Sequence, residues 1–413
     1  MADNLLLSAS RNNVRECVEV AQERNLGIEV MAFAFPDILE KCFDPYDPWM
    51  SPRAIRIRGA FYQGRLLGKI SAAVIVLLDW LAPKFFRKAM KIEQRNYPIT
   101  VAQKILAADS IEQPQLALEQ LMSVAVPDSS KYGAAWGLGF PWMSKNGLYN
   151  SDIPFVTHTP YAMEALCRLM SFKACHEDAK KHFSCTWRFL ESLFVLHEDC
   201  TTLALSYAPT NEPRIVINAN AYACFAYCLH AEKNVSRSNQ ARGRALRIAR
   251  YVVQQQQTNG AWYYYADDLP GNFIDCFHSC FIIKNLIKAS KLDDDVRALV
   301  AESIQRGKQY IDENFFDKKK GLVKRFTARD IKDPFIWDLY DQAEYLGILI
   351  ELSELDRAEK LCKAARASFV CNGDWYSKID ILGFRWGENF SRWGITPFHF
   401  SEKKLKIIRQ NKA

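Results

Sequence analysis

Gln254-Gln255-Gln256-Gln257-Thr258-Asn259-Gly260-Ala261-Trp262, then Tyr263-Tyr264-Tyr265-Ala266-Asp267-Asp268, then Asn272-Phe273-Ile274-Asp275-Cys276-Phe277-His278 form the stretch that decides how this chain folds. A charged amphipathic pattern runs into Gln257 and stops at Asn259-Gly260, where glycine supplies the left-handed backbone that closes a helix. An aromatic, acidic loop follows. A second helical pattern opens at Asn272 or Asp275, either of which offers an oxygen to the exposed N–H groups of a first turn. Helix, aromatic-acidic loop, helix is the predicted repeating unit.

Outward from this unit, helical patterns come in pairs. Thr159–Met170 precedes Glu177–Phe194, Asn218–His230 precedes Asn239–Gln257, Asp275–Ala289 precedes Asp293–Asn314, and Phe335–Leu352 precedes Leu355–Phe369. A last helix is expected near Glu388, with Pro397 breaking or kinking it. The first members recur roughly every 53–60 residues, a spacing that marks a helical-hairpin repeat. They are small and apolar nearly all round, as in Asn218-Ala219-Asn220-Ala221-Tyr222-Ala223-Cys224. The second members carry charge on one face, as with Arg242, Arg244, Arg247 and Arg250. An all-round apolar helix is buried and a half-charged one lies outside. A ring of inner helices within a ring of outer helices satisfies both patterns, so the expected fold is all-α, an α/α toroid with long loops gathered at one rim. Further helical patterns at 53–68, 70–80, 83–93, 98–108 and 112–125 follow the turn-rich Asp44-Pro45-Tyr46-Asp47-Pro48-Trp49. The expected organisation is an N-terminal appendage over 1–40, with extended segments Asn4–Ala9 and Ile28–Ala34 around a helix in a βαβ-like order; a toroid over 41–400; and a basic tail over 401–413.

Composition excludes several classes. A net charge of +7 over 413 residues is too mild for a nucleic-acid partner. The 12 cysteines are scattered without a CxxC pair, which fits buried free thiols in a reducing, cytoplasmic setting. Cys224, Cys228, Cys276 and Cys280 fall at i, i+4 spacing on two inner helices, but this is not the spacing of a zinc clip, and no metal or other cofactor is expected. Walker A, GxGxxG, HExxH and GxSxG motifs are missing. The start of the chain lacks a basic segment before Leu5-Leu6-Leu7, so no secretory signal is expected. Ile70–Leu78 is too short to span a bilayer.

Gln256-x-x-Asn259-Gly260-x-Trp262 resembles the QxxDGxW motif of α/α-toroid families, including the terpenoid-cyclase-like group, with Asn in place of Asp. In that motif the Gln caps a neighbouring helix end and the Trp packs over the glycine turn. A second resemblance covers about residues 40–400. It is carried by Asp44-Pro45-Tyr46-Asp47, Trp136-Gly137-x-Gly139-Phe140-x-Trp142, Ser206-Tyr207-x-Pro209, Phe273-Ile274-Asp275-x-Phe277-His278 and Arg385-Trp386-Gly387, in that order. These are similar to toroidal (six-hairpin) proteins encoded with bacterial capsule, O-antigen (lipopolysaccharide) and exopolysaccharide genes. The resemblance implies a role in polysaccharide biosynthesis or modification. The chain departs from it at Tyr340, where a His is expected.

Candidate site residues follow from loop position and chemistry. Asp275 and His278 lie at i and i+3, where a carboxylate orients an imidazole for proton transfer, and Tyr207 is a catalytic partner for them. Trp136, Trp142, Trp262 and Trp386 are candidate stacking platforms for sugar rings. Asp267 and Asp268 beside three tyrosines have the composition of a sugar-binding loop. His158 precedes a helix opened by Pro160 and should lie at the rim. Arg214, near Asn218, offers a planar fork to an acidic sugar. Asp338 and Asp341, with Glu344, place carboxylates on one helix face, as glycoside cleavage needs. The predicted function is a carbohydrate-active enzyme working by acid–base chemistry, of hydrolase, lyase or epimerase type, with a sugar or polysaccharide as substrate. One alternative is a non-catalytic scaffold or regulator of polysaccharide assembly, held at the membrane surface by 70–95 and the basic tail. Terpenoid-type cyclisation rests on the Gln256–Trp262 motif alone and lacks an aspartate-rich motif.

Overall fold

The sorting of helices into buried and half-charged decides the architecture of the computed structural model, which describes residues 40–144, 147–327 and 333–411. The βαβ-like appendage lies outside these residues. In chain order the helices are α1 (Pro52–Tyr62), α2 (Leu66–Leu81), α3 (Pro83–Ala89), α4 (Pro98–Ala107), α5 (Pro114–Ser123), α6 (Ser129–Tyr132), α7 (Thr159–Leu169), α8 (His176–Ser192), α9 (Ile217–Lys233), α10 (Ser238–Gln254), α11 (Cys276–Ser290), α12 (Asp294–Asn314), α13 (Leu339–Glu351), α14 (Leu355–Phe369) and α15 (Thr396–Gln410). Among the described residues, α4, α7, α9, α11, α13 and α15 pack side by side into a closed ring, and α5, α8, α10, α12 and α14 pack outside it. The fold is an α/α toroid. On inner α9 every residue from Ile217 to His230 is buried. Outer α10 buries only a stripe that includes Ala241, Ala245, Ile248 and Val252, as its arginine pattern requires.

Pro397 occupies the first turn of α15 and so begins that helix instead of breaking it, as Pro98 and Pro160 do for α4 and α7. A missing N–H costs nothing in a first turn. Residues 401–410 continue α15 and close the ring against α4 and α13, with Ser401, Glu402 and Leu405 buried. Among the described residues of the expected tail, Lys403 reaches Asp109 at 2.7 Å, Arg409 reaches Glu359 at 2.7 Å, and Lys404 pairs with Glu351. At the other end of the chain, Asp44 forms a buried bidentate pair with Arg392, which docks the Asp-Pro-Tyr-Asp segment onto the approach to α15.

The Gln–Trp motif is a lock between outer helices. Helix α10 ends at Gln254, short of the predicted Asn259-Gly260, because Gln256 Nε2 turns to donate to Gly260 O and Ser303 O, each at 2.9 Å. Ser303 Oγ returns a bond to Gln256 Oε1 at 2.8 Å. Ser303 lies inside α12, so the Gln grips the middle of a neighbouring helix and not its end. Gly260 has φ +90°, and a Cβ there would stand 2.4 Å from Arg306 O. The Trp262 ring fills the space over Gly307, and its Nε1 donates to Val252 O at 2.9 Å.

Short antiparallel strands decorate the rim. β1 (Trp142–Ser144) pairs with β2 (Gly147–Tyr149), β3 (Val195–Glu198) with β4 (Leu203–Leu205), and β5 (Phe316–Asp317) with β6 (Leu322–Val323). β7 (Phe335–Asp338) and β10 (Arg385–Glu388) flank β9 (Asp374–Asp380), with β8 (Val370–Cys371) also paired to β9. The predicted helix from Phe335 therefore starts only at Leu339, after Asp338 caps it. Phe-Ile-Trp suits a pleated edge better than a first turn.

Candidate active site

The ring turns one set of helix ends toward a common cavity. His158 stands at the residue before α7, Asn218 lies in the first turn of α9, His278 in that of α11, Tyr340 in that of α13 and Ile99 in that of α4, while Trp393 precedes α15; all line one cavity of about 560 Å³. Six helix N-termini thus face the same space, and their combined dipoles favour negative charge there. The walls are strongly aromatic, with Trp142, Tyr149, Tyr264, Phe273, Phe277 and Phe281 among the lining residues.

Asp275 caps α11 by accepting from His278 N at 3.1 Å, and both of its carboxylate oxygens lie 2.8 Å from His278 Nδ1. One carboxylate starts the helix and orients the imidazole. Asp275 is buried behind the ring and does not line the cavity, whereas the His278 side chain does. Nδ1 is held by the carboxylate, so Nε2 is the nitrogen left for a ligand. Rings of Tyr264 and Phe277 stand 4.5 and 3.8 Å from the imidazole by centroid and fix its tilt.

His158 has a different setting. Its Nδ1 is 3.1 Å from Thr157 Oγ1, and that hydroxyl donates to Tyr207 Oη at 3.0 Å. With the Thr157 proton committed to Tyr207, Nδ1 carries the imidazole proton and Nε2 is a bare acceptor. Nε2 is buried without a protein partner. Burial, followed by the charge of Arg392, pushes the His158 pKa down to about 3, so this imidazole is neutral at ordinary pH. Burial pushes Tyr207 up to about 12; it braces Thr157 and is not poised to ionise. Asn218, on the helix between those of the two histidines, also leaves a buried Oδ1 without a protein partner.

Tyr207, His278, Trp142, His158, Arg214 and Asn218 line the cavity, and the remaining sequence candidates do not. Trp136 is fully buried, with Nε1 donating to Leu121 O at 2.9 Å; it pins the 133–140 loop to the core. Trp262 is equally interior. Trp386 stacks on Trp80 at 4.2 Å and donates to Asp380 at 2.9 Å, away from the cavity. Asp267 grips Arg214 in a bidentate pair, with Arg214 Nε at 2.8 Å, and the guanidinium lies 3.7 Å from the Tyr265 ring centre. The fork expected to clamp an acidic sugar already holds a carboxylate of its own chain. Asp268 is exposed outside the cavity.

Asp338 and Asp341 are buried and share Arg325, each at 3.1 Å. Asp338 also caps α13 through Tyr340 N at 2.9 Å and accepts from Trp393 Nε1 at 3.0 Å. Burial, the largest influence, pushes the Asp341 carboxyl well above its ordinary range. Glu344 is paired with Lys284. The acidic face is therefore a buried counter-charge network, because carboxylates held out of water need a cation or a proton. Sequence reasoning missed Arg325, which no motif flags, and Glu212, which lines the cavity. Glu212 accepts from Tyr207 N at 2.8 Å and from Tyr149 Oη at 3.2 Å, and burial raises its pKa. The Ser206-Tyr207-x-Pro209 motif lies just before Glu212 and was the available signal.

Arg392 also lines the cavity. Its Nε and Nη2 are committed to Asp44, leaving Nη1.

No protein-family model and no curated protein sequence matches the chain. Solved structures do resemble it. A sugar epimerase from a ruminal bacterium superposes with a TM-score of 0.55 at 13% identity, over 78% of this chain and 90% of that one. A D-mannose isomerase gives 0.55 at 14% identity, over 76% and 87%. A family 105 glycoside hydrolase of C. acetobutylicum ATCC 824 gives 0.53 at 9% identity, over 78% and 97%. At these identities the likeness establishes the shared α/α-toroid fold.

Proposed function

We propose that the chain is a carbohydrate-active enzyme that moves a proton at a carbon beside a sugar carbonyl, in the manner of an isomerase or epimerase. The observation that carries this reading is the pair of unlike imidazoles on one aromatic cavity: His278 backed by a carboxylate, His158 held neutral. His278 Nε2 takes the C–H proton, and Asp275 stabilises the imidazolium that results. The C–H electron pair becomes a C=C bond and the carbonyl oxygen takes up the negative charge. Arg392 Nη1 and the ring of helix N-termini favour that charge. The hydroxyl proton on the neighbouring carbon then shifts to the former carbonyl oxygen and His278 returns its proton to the former carbonyl carbon, giving an aldose–ketose interconversion; when the enediolate instead turns its opposite face to His278 before it is reprotonated at the original carbon, an epimer results. His158 Nε2 and Asn218 Oδ1 accept sugar hydroxyl hydrogen bonds, and the aromatic walls pack on the apolar faces of the sugar.

Hydrolysis by a carboxylate pair fits less well. Among the described residues, Glu212 is the carboxylate that lines the cavity, and it is braced by the Tyr207 and Tyr149 bonds; a second, facing acid is needed. Terpenoid-type cyclisation loses its support, since the Gln256–Trp262 motif is consumed by helix packing. A bacterial surface-polysaccharide precursor as substrate is the setting that the motif resemblance suggests, and we carry it as part of this proposal, with cytoplasmic action. The test is a D2O incubation of the protein with a panel of aldoses, ketoses and reducing disaccharides, followed by NMR. Deuterium entering the carbon beside the carbonyl supports the reading. Cleavage of glycosidic bonds without any C–H exchange overturns it.

A further inference from the structure

The arm made by α1–α3 departs from the sorting that governs the rest of the molecule. On α2, Leu67, Ile70, Val74, Leu77, Leu78 and Leu81 recur at three- and four-residue steps, which places them on one face, and they are between 44% and 79% exposed. Phe85 on α3, 76% exposed, extends the strip. The helix is nevertheless firmly docked. Gly68 and Ala72 are buried, and a Cβ at Gly68 would meet Ala60 of α1 at 2.6 Å. Trp80 stacks on Trp386 and donates to Arg385 O at 3.0 Å. The exposed strip is therefore a presented surface and not the loose side of an unpacked helix.

Its charge is one-sided. From Ser51 to Ile92 the acidic residue is Asp79 alone, and Arg87 holds both of its oxygens, at 2.8 and 3.0 Å. Arg53, Arg56, Arg65, Lys69, Lys88 and Lys91 are exposed and have no ion pair among the described residues, in contrast to the paired lysines of α15. An apolar protein partner would satisfy the leucines and leave these cations unmatched. An anionic lipid surface matches both.

We propose that α2 and α3 seat the protein on an anionic bilayer, with the leucine–phenylalanine strip in the headgroup–acyl boundary and the basic residues at phosphate level. With 16 residues, α2 is roughly 24 Å long, and no helix among the described residues is long and apolar enough to cross a membrane. The arm therefore lies on the surface. Tyr62 of α1 lines the cavity, so the cavity mouth neighbours the seated arm.

Co-sedimentation of the full-length protein with vesicles tests this. Vesicles of phosphatidylcholine plus phosphatidylglycerol should take up the protein at low salt and release it at high salt, while phosphatidylcholine alone takes up little. The triple variant Leu67→Ser, Leu81→Ser, Phe85→Ser and the double variant Lys69→Glu, Lys88→Glu should each partition about tenfold less, with unchanged circular dichroism. Absence of uptake at low salt overturns the proposal, as does equal uptake by uncharged vesicles. A concentration-dependent dimer that the triple variant converts to monomer, with no vesicle uptake, assigns the strip to a second copy and also overturns it.

Discussion

The two ends of the 254–278 stretch are made of the same parts, a polar side chain bonded to backbone beside an aromatic ring, and they differ in what is left over. At Gln256–Trp262 the amide bonds in both directions to α12, and the indole N–H is buried on Val252 O. No polar atom remains, so the constellation specifies packing. At Asp275–His278 the carboxylate is consumed by a helix cap and an imidazole nitrogen, but the imidazole reaches the cavity with Nε2 uncommitted. A free polar atom aimed at a cavity separates a site from a joint, and variants at the two ends should separate rate from stability.

The largest effect is expected at His278. His278→Ala removes the proposed proton carrier and should lower C–H exchange by about 10³-fold or more, with the melting temperature shifted by only a few degrees (~3 °C). Loss of the fold in place of loss of rate would make this end a joint as well. Next comes Asp275→Asn, which keeps a capping oxygen but removes the charge behind the imidazole. Exchange should fall about 10²-fold while thermal unfolding stays close to that of the parent. At the other end, Gly260→Ala forces a side chain onto a backbone at φ +90° and into Arg306 O. It should cost about 2–4 kcal/mol in chemical denaturation, and the folded fraction should retain its parental exchange rate.

The fold was legible because it is written in composition around each helix. Ala-Tyr-Ala-Cys on α9 and the arginine stripe on α10 need opposite environments, and the ring supplies them. Helix ends were less legible where a side chain competes with the backbone: Gln256 ends α10 early, and Phe335–Trp337 join a sheet before α13 begins. The site was half legible. A histidine next to a helix start reads as a rim residue, and both His158 and His278 line the cavity. Carboxylates and tryptophans misled, because sequence reports what a side chain is able to do and not which partner takes it. Asp267 is taken by Arg214. Asp338 and Asp341 are taken by Arg325, which lies outside every motif, and Trp136 is taken by the core. Those pairings depend on how loops fold back on their neighbours, as Arg325 does onto Asp338 and Asp341 and Arg214 onto Asp267.

The smallest expected effect concerns two of the histidines whose pKa burial lowers, His158 and His230. Burial, followed by the charge of Arg392, pushes His158 down to about 3; burial against Phe183 and Trp187, followed by the charge of Arg237, pushes His230, whose Nε2 lies 2.9 Å from Thr186 Oγ1, down to about 4 from an ordinary 6.5. A folded value below the unfolded one means that the unfolded chain binds the extra proton first. The stability these groups contribute is therefore complete above pH 6.5 and is lost as pH falls from 6.5 toward about 4. Each group contributes a slope of about 1.4 kcal/mol per pH unit in that window. His230→Gln, away from the cavity, should flatten the acid limb of a urea-unfolding series by about that amount and leave exchange at neutral pH unchanged. His158→Gln should flatten it equally but also weaken substrate binding, since it alters a ligand acceptor. If both variants flatten the limb and only the second raises KM, the two buried imidazoles are distinguished by where their unpartnered nitrogen lies: that of His158 faces the cavity, and Nδ1 of His230 is enclosed in the core. Equal KM values would place His158 with the joints.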